Sequence, residues 1–143
     1  MSQFISKNDY SATVHPDILE AITRQDEAII EICSERAISE MRCYLSGRYD
    51  CNKIFSATGN DRNQLVLMMC VDISVYHLFC IHNPQKLSAI RKDRYDRAVE
   101  WLKAVRKGDI SVEGLPLAER TPEEELDCSP YQMRSNPKRQ NHF

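Results

Sequence analysis

"LVLMMCVDISVYHLFCIHNP", residues 65–84, decides the fold. Its apolar side chains fall on nearly every side of a helical wheel, so the run is predicted to be a helix enclosed by other helices. Pro84 ends it, because proline restricts the residue before it and cannot continue a helix. The apolar part, 65–81, is short for a membrane span and carries Asp72 and His77, so a buried core helix is the expected form. No contact with a membrane is expected.

Helical patterns lie on both sides. "SKND" at 6–9 predicts a short capped turn with Ser6 facing Asp9, and "HPDILEAIT" a brief helix with Pro16 in its first turn. A first long helix is expected over 25–46, closed by Gly47 as a left-handed residue after its end. Asp61 is expected to cap the central helix, with Gln64 in capping-box position. The connector at 50–61 has room for one turn around Ile54 and Phe55. Ser88 should cap a last long helix that stops at Gly108. Four glycines in 143 residues and the long stretches of 3.6-residue period place the chain in the all-α class. The expected architecture is a small bundle of about three long helices with short N-terminal helices. It occupies 1–117, and an extended or flexible C-terminal tail follows over 118–143.

Asp72 then poses a question, since an unpaired carboxylate inside such a helix is costly. On the last helix Leu87, Ile90, Ala98, Trp101, Leu102 and Val105 share an arc of roughly 120°, with Arg94 in its middle and Arg91 inside it. An Asp72–Arg94 pair is therefore predicted, with Arg91 as the substitute. Arg36 and Glu40 likewise fall near Ile29, Cys33 and Tyr44 on the first long helix, which suggests a linked ionic network in the core. The alternative is that these long side chains reach outward to solvent.

Asp72, His77, Cys80 and His82 also look like a ligand or nucleophile set. Asp72 lies about 140° round the helix from His77, however, so the four cannot converge. No GxSxG, P-loop or HExxH motif is present, and the six cysteines include no CxxC pair. The expectation is a protein with no enzymatic activity, no cofactor and no metal, its cysteines reduced as in a cytosolic protein. The polar start predicts no secretory leader.

A net charge of −2 gives no global pull toward nucleic acid, yet the charge is unevenly placed. Residues 86–107 carry eight cations against three acids, a surplus of five, while the first long helix carries a surplus of three acids. An acidic flank (Glu27, Glu31, Glu35) and a basic flank (Arg97, Lys103, Arg106) could join copies of the chain head to tail. Two solvated helix faces would produce the same pattern.

Four blocks together, "SERAISEMRCYLSGRYD" (34–50), "IFSATGNDRN" (54–63), "VDISVYHLFCIHNPQKL" (71–87) and "RYDRAVEWLKAVRKGDIS" (94–111), resemble the small neck-protein family of Mu-like phages and prophages. The resemblance spans about 4–117. It implies a head–tail connector, or head-completion protein: a helical bundle forming a homo-oligomeric ring under the portal. Its implied partners are further copies of itself and the portal and tail proteins, with DNA passing nearby in the channel. The implied location is the virion, or the host cytoplasm when the protein is expressed from a prophage. It carries over Arg48, Tyr49, Asp50, Asp72, Tyr76, His77, Asn83, Pro84, Arg94, Tyr95, Asp96, Trp101 and Leu102 as scaffold and interface residues, with no catalytic group. A bacterial helical adaptor or DNA-associated regulator is the competing class.

Overall fold

Three helices of 19 residues carry the architecture: α3 (Glu27–Leu45), α5 (Gln64–His82) and α6 (Ala89–Lys107). Shorter elements surround them: α1 (Lys7–Tyr10), α2 (Pro16–Thr23) and α4 (Cys51–Ser56), with a 3-10 turn at Gly59–Asp61. The structure is a computed structural model that describes residues 3–82, 85 and 87–119. The expected tail from residue 120 onward, and Asn83–Pro84 as the stop of the central helix, lie outside the described residues. Among those residues there is no strand, only an isolated antiparallel bridge between Tyr49 and Leu117. The all-α expectation is met.

Most helix starts are fixed by short polar side chains that take the backbone N–H groups a helix leaves unpaired. Asp26 accepts from Ala28, Asp50 from Asn52 and Lys53, and Ser88 from Arg91. Asp9 takes both the backbone N–H and the hydroxyl of Ser6, which closes the expected turn at α1. Gly108, at φ 89°, ends α6 in the left-handed conformation that glycine adopts without strain.

One expected boundary is wrong. Asn63 caps α5, its Oδ1 accepting from Leu65 and Val66; Asp61 belongs to the preceding 3-10 turn. Arg62 between them is extended (φ −72°, ψ 137°), which breaks any helix starting at Asp61. The end of α3 falls where expected, with Ser46 as the C-cap and Gly47 next, although Gly47 is not left-handed. The chain leaves α3 through turns that return Arg48 and Tyr49 N–H to Leu45 O, and Tyr49 then meets Leu117.

Contacts give the helix directions. Asp72–Arg97, Tyr76–Tyr95 and Phe79–Arg91 step in opposite senses, so α5 and α6 are antiparallel. Glu40–Tyr95 and Arg48–Val105 step in the same sense, so α3 runs parallel to α6. The central helix α5 packs against both and also meets α1 and α2. By length and composition α5 is apolar enough to cross a bilayer. Here most of it is taken by neighbours, with Val66, Cys70, Ile73, Val75 and Leu78 almost wholly buried, while Leu65, Met68 and Ile81 stay exposed, so the enclosure is partial. The expected burial of a helix apolar all round is met along most of its length but not on every side.

The N-terminal segment is clasped onto the bundle by polar contacts. The buried Tyr10 hydroxyl bonds Ser34 Oγ at 2.7 Å and Ser74 Oγ at 2.6 Å, tying α1 to α3 and α5. Phe4 is fully buried and packs edge-on against Phe55. Arg62 completes the clasp, donating to Phe4 O (2.7 Å), Gly59 O (2.9 Å) and both oxygens of Asp9 (2.6 and 3.2 Å).

Candidate functional site

The polar groups that the sequence placed inside the bundle are present, with different partners. Asp72 is buried, its side chain 3% exposed, and its Oδ2 accepts from Arg97 Nη2 at 2.8 Å. The predicted partner, Arg94, stands half-buried and acts on the carboxylate only through its charge, as does Arg91. A guanidinium at Arg94's position would have to give up most of its water. Arg97 lies on the flank of α6, so it can reach Asp72 while its side chain as a whole stays 53% exposed. Burial raises the Asp72 pKa, and the bond and charge of Arg97, then Arg94 and Arg91, offset it only in part. Arg91, named as the substitute, donates to Thr13 O at 3.1 Å and lies over the Phe79 ring. It fastens the α1–α2 turn to α6.

The expected Arg36–Glu40 network is not what forms. Arg36 is exposed on the outer face of α3, while Glu40 turns toward α5 and α6. Its Oε2 lies 3.1 Å from His77 Nε2, and its Oε1 accepts from the Tyr95 hydroxyl at 2.7 Å. The Tyr95 ring stacks on Tyr76 with centroids 3.9 Å apart. Burial and the Glu40 carboxylate both push the Tyr95 pKa up, so this hydroxyl remains a donor at any ordinary pH. One carboxylate thus joins all three long helices. The i,i+4 spacing of Arg36 and Glu40 gave no sign of it, because both real partners are distant in sequence.

Three other motif residues also make scaffold contacts. Arg48 donates to Val105 O at the last turn of α6, the Tyr49 hydroxyl accepts from Val112 N–H, and Leu102 is fully buried. Among the described residues no group of three or more His, Cys, Asp or Glu side chains could hold a metal ion. Cys70 is fully buried, its thiol pKa pushed far up by desolvation, which keeps it un-ionised and inert.

The outside of the described residues carries charge together with scattered exposed apolar side chains, Ile18, Ile32, Met68, Ile90 and Ile110 among them. Glu27, Glu31 and Glu35 are exposed along α3 as expected. On α6 the exposed surplus is smaller than the sequence suggested, because Arg91 and Arg94 turn inward and Lys86 lies outside the described residues. Five exposed cations (Lys92, Arg97, Lys103, Arg106, Lys107) face three exposed acids (Asp93, Asp96, Glu100). Lys103, Arg106 and Lys107 gather at its C-terminal end, next to Ile110, which is 41% exposed. Beside the acidic row, a groove of about 320 Å³ opens between α3 and the N-terminal segment, with Ile5, Tyr10 and Ile30 among its lining residues.

The comparisons with known proteins bear on this helical body. No curated protein and no solved structure gives a significant match. The model of one protein family, described as Bacteriophage Mu, Gp36, matches residues 4–128. That span begins at Phe4 in the clasp and takes in every described helix. The chain belongs to the Bacteriophage Mu Gp36 family and is a Mu-like phage protein.

Proposed function

We propose that the protein is a structural subunit of a phage or prophage neck, a head–tail connector or head-completion protein that assembles into a ring under the portal. The observation that carries this reading is the family match over 4–128, which brings a Mu-like phage origin. The structure supports it in kind. The polar side chains inside the bundle are spent on holding helices together, and the charge left over stands on exposed flanks. On this reading the protein has no catalytic step and needs no cofactor. It works by presenting surfaces to further copies of itself, to portal and to tail. It resides in the virion, or in the host cytoplasm before assembly.

The test is native mass spectrometry of the purified chain, alone and mixed with the portal protein encoded in the same phage genome. Multiples of the chain, or a stoichiometric complex with portal, are the expected result. A chain that stays monomeric in both samples and binds duplex DNA with a steep salt dependence would instead identify a DNA-associated regulator. Portal, capsid and tail genes as neighbours of its gene are the corresponding genomic expectation.

A further inference from the structure

We infer that the apolar groove between α3 and the N-terminal segment is the seat for the C-terminal end of α6 of a second copy. The inference rests on the connector reading and names the residues through which its subunits meet.

The groove has an apolar lining in Ile5, Tyr10 and Ile30 and a row of carboxylates in Glu27, Glu31 and Glu35. These three follow one another at four-residue intervals, so each neighbouring pair is a like-charge i,i+4 pair that weakens the helix. Lys7 lies 3.1 Å from Glu27, but both side chains are more than half exposed and that pair is easily displaced. The groove therefore fits a ligand with an apolar tip and cationic shoulders.

The other end of the same molecule has that form. Ile110 stands exposed just past the helix end, and the exposed Lys103, Arg106 and Lys107 occupy the last turns of α6, a surplus that the single exposed Asp109 between them and Ile110 only partly offsets; Lys103 and Lys107 are a like-charge i,i+4 pair in turn. Ile110 is held by Arg48, whose Nη1 donates to Val105 O and Ile110 O, so the tip is positioned rather than trailing. Docking would bury apolar surface on both partners and set the two strained charge rows against each other.

The two surfaces cannot meet within one molecule. Arg48 follows the last turn of α3 and Glu31 lies in its first turns, which puts them about 25 Å apart along the helix. The contact is therefore heterologous and leaves a free groove and a free tip after each addition, the arrangement that closes into a ring when the rotation permits.

Sedimentation velocity with a complementary pair of variants tests this. Glu27→Lys/Glu31→Lys reverses the groove, and Lys103→Glu/Arg106→Glu reverses the tip; thermal melts check that each is folded. Each variant alone should self-associate roughly a hundredfold more weakly than wild type, since like charges then face each other. An equimolar mixture should regain assembly, because both its groove–tip contacts are charge-matched. Ile110→Ser, which leaves every charge in place, should weaken association roughly tenfold. If wild type assembles and all three variants assemble equally well, the interface lies elsewhere: the inference falls and the connector reading stands. If wild type forms no oligomer either alone or with portal, both fall.

Discussion

Two carboxylate–arginine pairs among the described residues, Asp9–Arg62 and Asp72–Arg97, differ in kind. In the clasp, Asp9 and Arg62 are both mostly buried, at 16% and 13% side-chain exposure, and meet through two bonds. At the α5–α6 seam, Asp72 is more deeply buried while Arg97 is half in water, and one bond joins them. The pKa shifts run in opposite directions. Burial works against the Asp9 carboxylate too, but its bonds from Arg62 and Ser6 outweigh that, and its pKa ends below the usual range. At Asp72 burial wins, and the pKa ends above it. A buried charge stabilises a fold only when enough donors replace the lost water, and here the number of donors separates the two cases.

Four measurements press on that contrast. Arg62→Ala removes the donor to Phe4, Gly59 and Asp9 together and should cost about 3 kcal/mol in urea unfolding. A loss under about 1 kcal/mol would mean the clasp is not a cooperative part of the fold. Arg97→Ala should cost about 2 kcal/mol despite that side chain's exposure, because it strands a buried carboxylate. A neutral result there would show that Arg94 and Arg91 suffice. Asp72→Asn should lie within about 0.5 kcal/mol of wild type or be slightly more stable, since an amide keeps an acceptor for Arg97 without the cost of a buried charge.

The smallest effect is the pH dependence of that last difference. Asp72's folded pKa is raised, so the folded state takes its proton first. Wild type therefore gains stability relative to Asp72→Asn as pH falls from the raised value to about 3.9, the unfolded value. Asp9 behaves the other way: its contribution is complete above about 3.9 and is lost as pH falls through its lowered folded value. Melting temperatures of the two proteins that stay a constant distance apart from pH 7 to pH 3 would contradict the assignment.

The helices were legible in the sequence because their signals are local. Periodicity marked α3, α5 and α6, and Ser88, Gly108 and the Ser6–Asp9 turn appeared where short-range chemistry placed them. The partnerships were not legible, for a physical reason. A helical wheel gives the direction in which a side chain leaves the backbone, and Arg94 does leave toward the core. It says nothing of reach, and a long side chain on the flank such as Arg97 can serve a buried group while keeping its own water. Arg62 gave no signal at all, because its role depends on the N-terminal segment returning over the connector. That same role explains the misplaced cap: holding Phe4 and Asp9 goes with extended backbone at Arg62, and α5 begins two residues later than a cap at Asp61 would place it.

The Tyr10 hydroxyl between Ser34 and Ser74 has a consequence for the order of events in folding and assembly. It spans 24 residues to one partner and 64 to the other, so the clasp is among the least local contacts in the chain. Closing such a loop costs more chain entropy than zipping the α5–α6 hairpin, which makes the clasp a late step. Yet the clasped segment forms one wall of the groove beside α3. On the connector reading, the proposed docking groove thus exists only after the fold is finished, and anything seated in it draws the clasp shut by mass action.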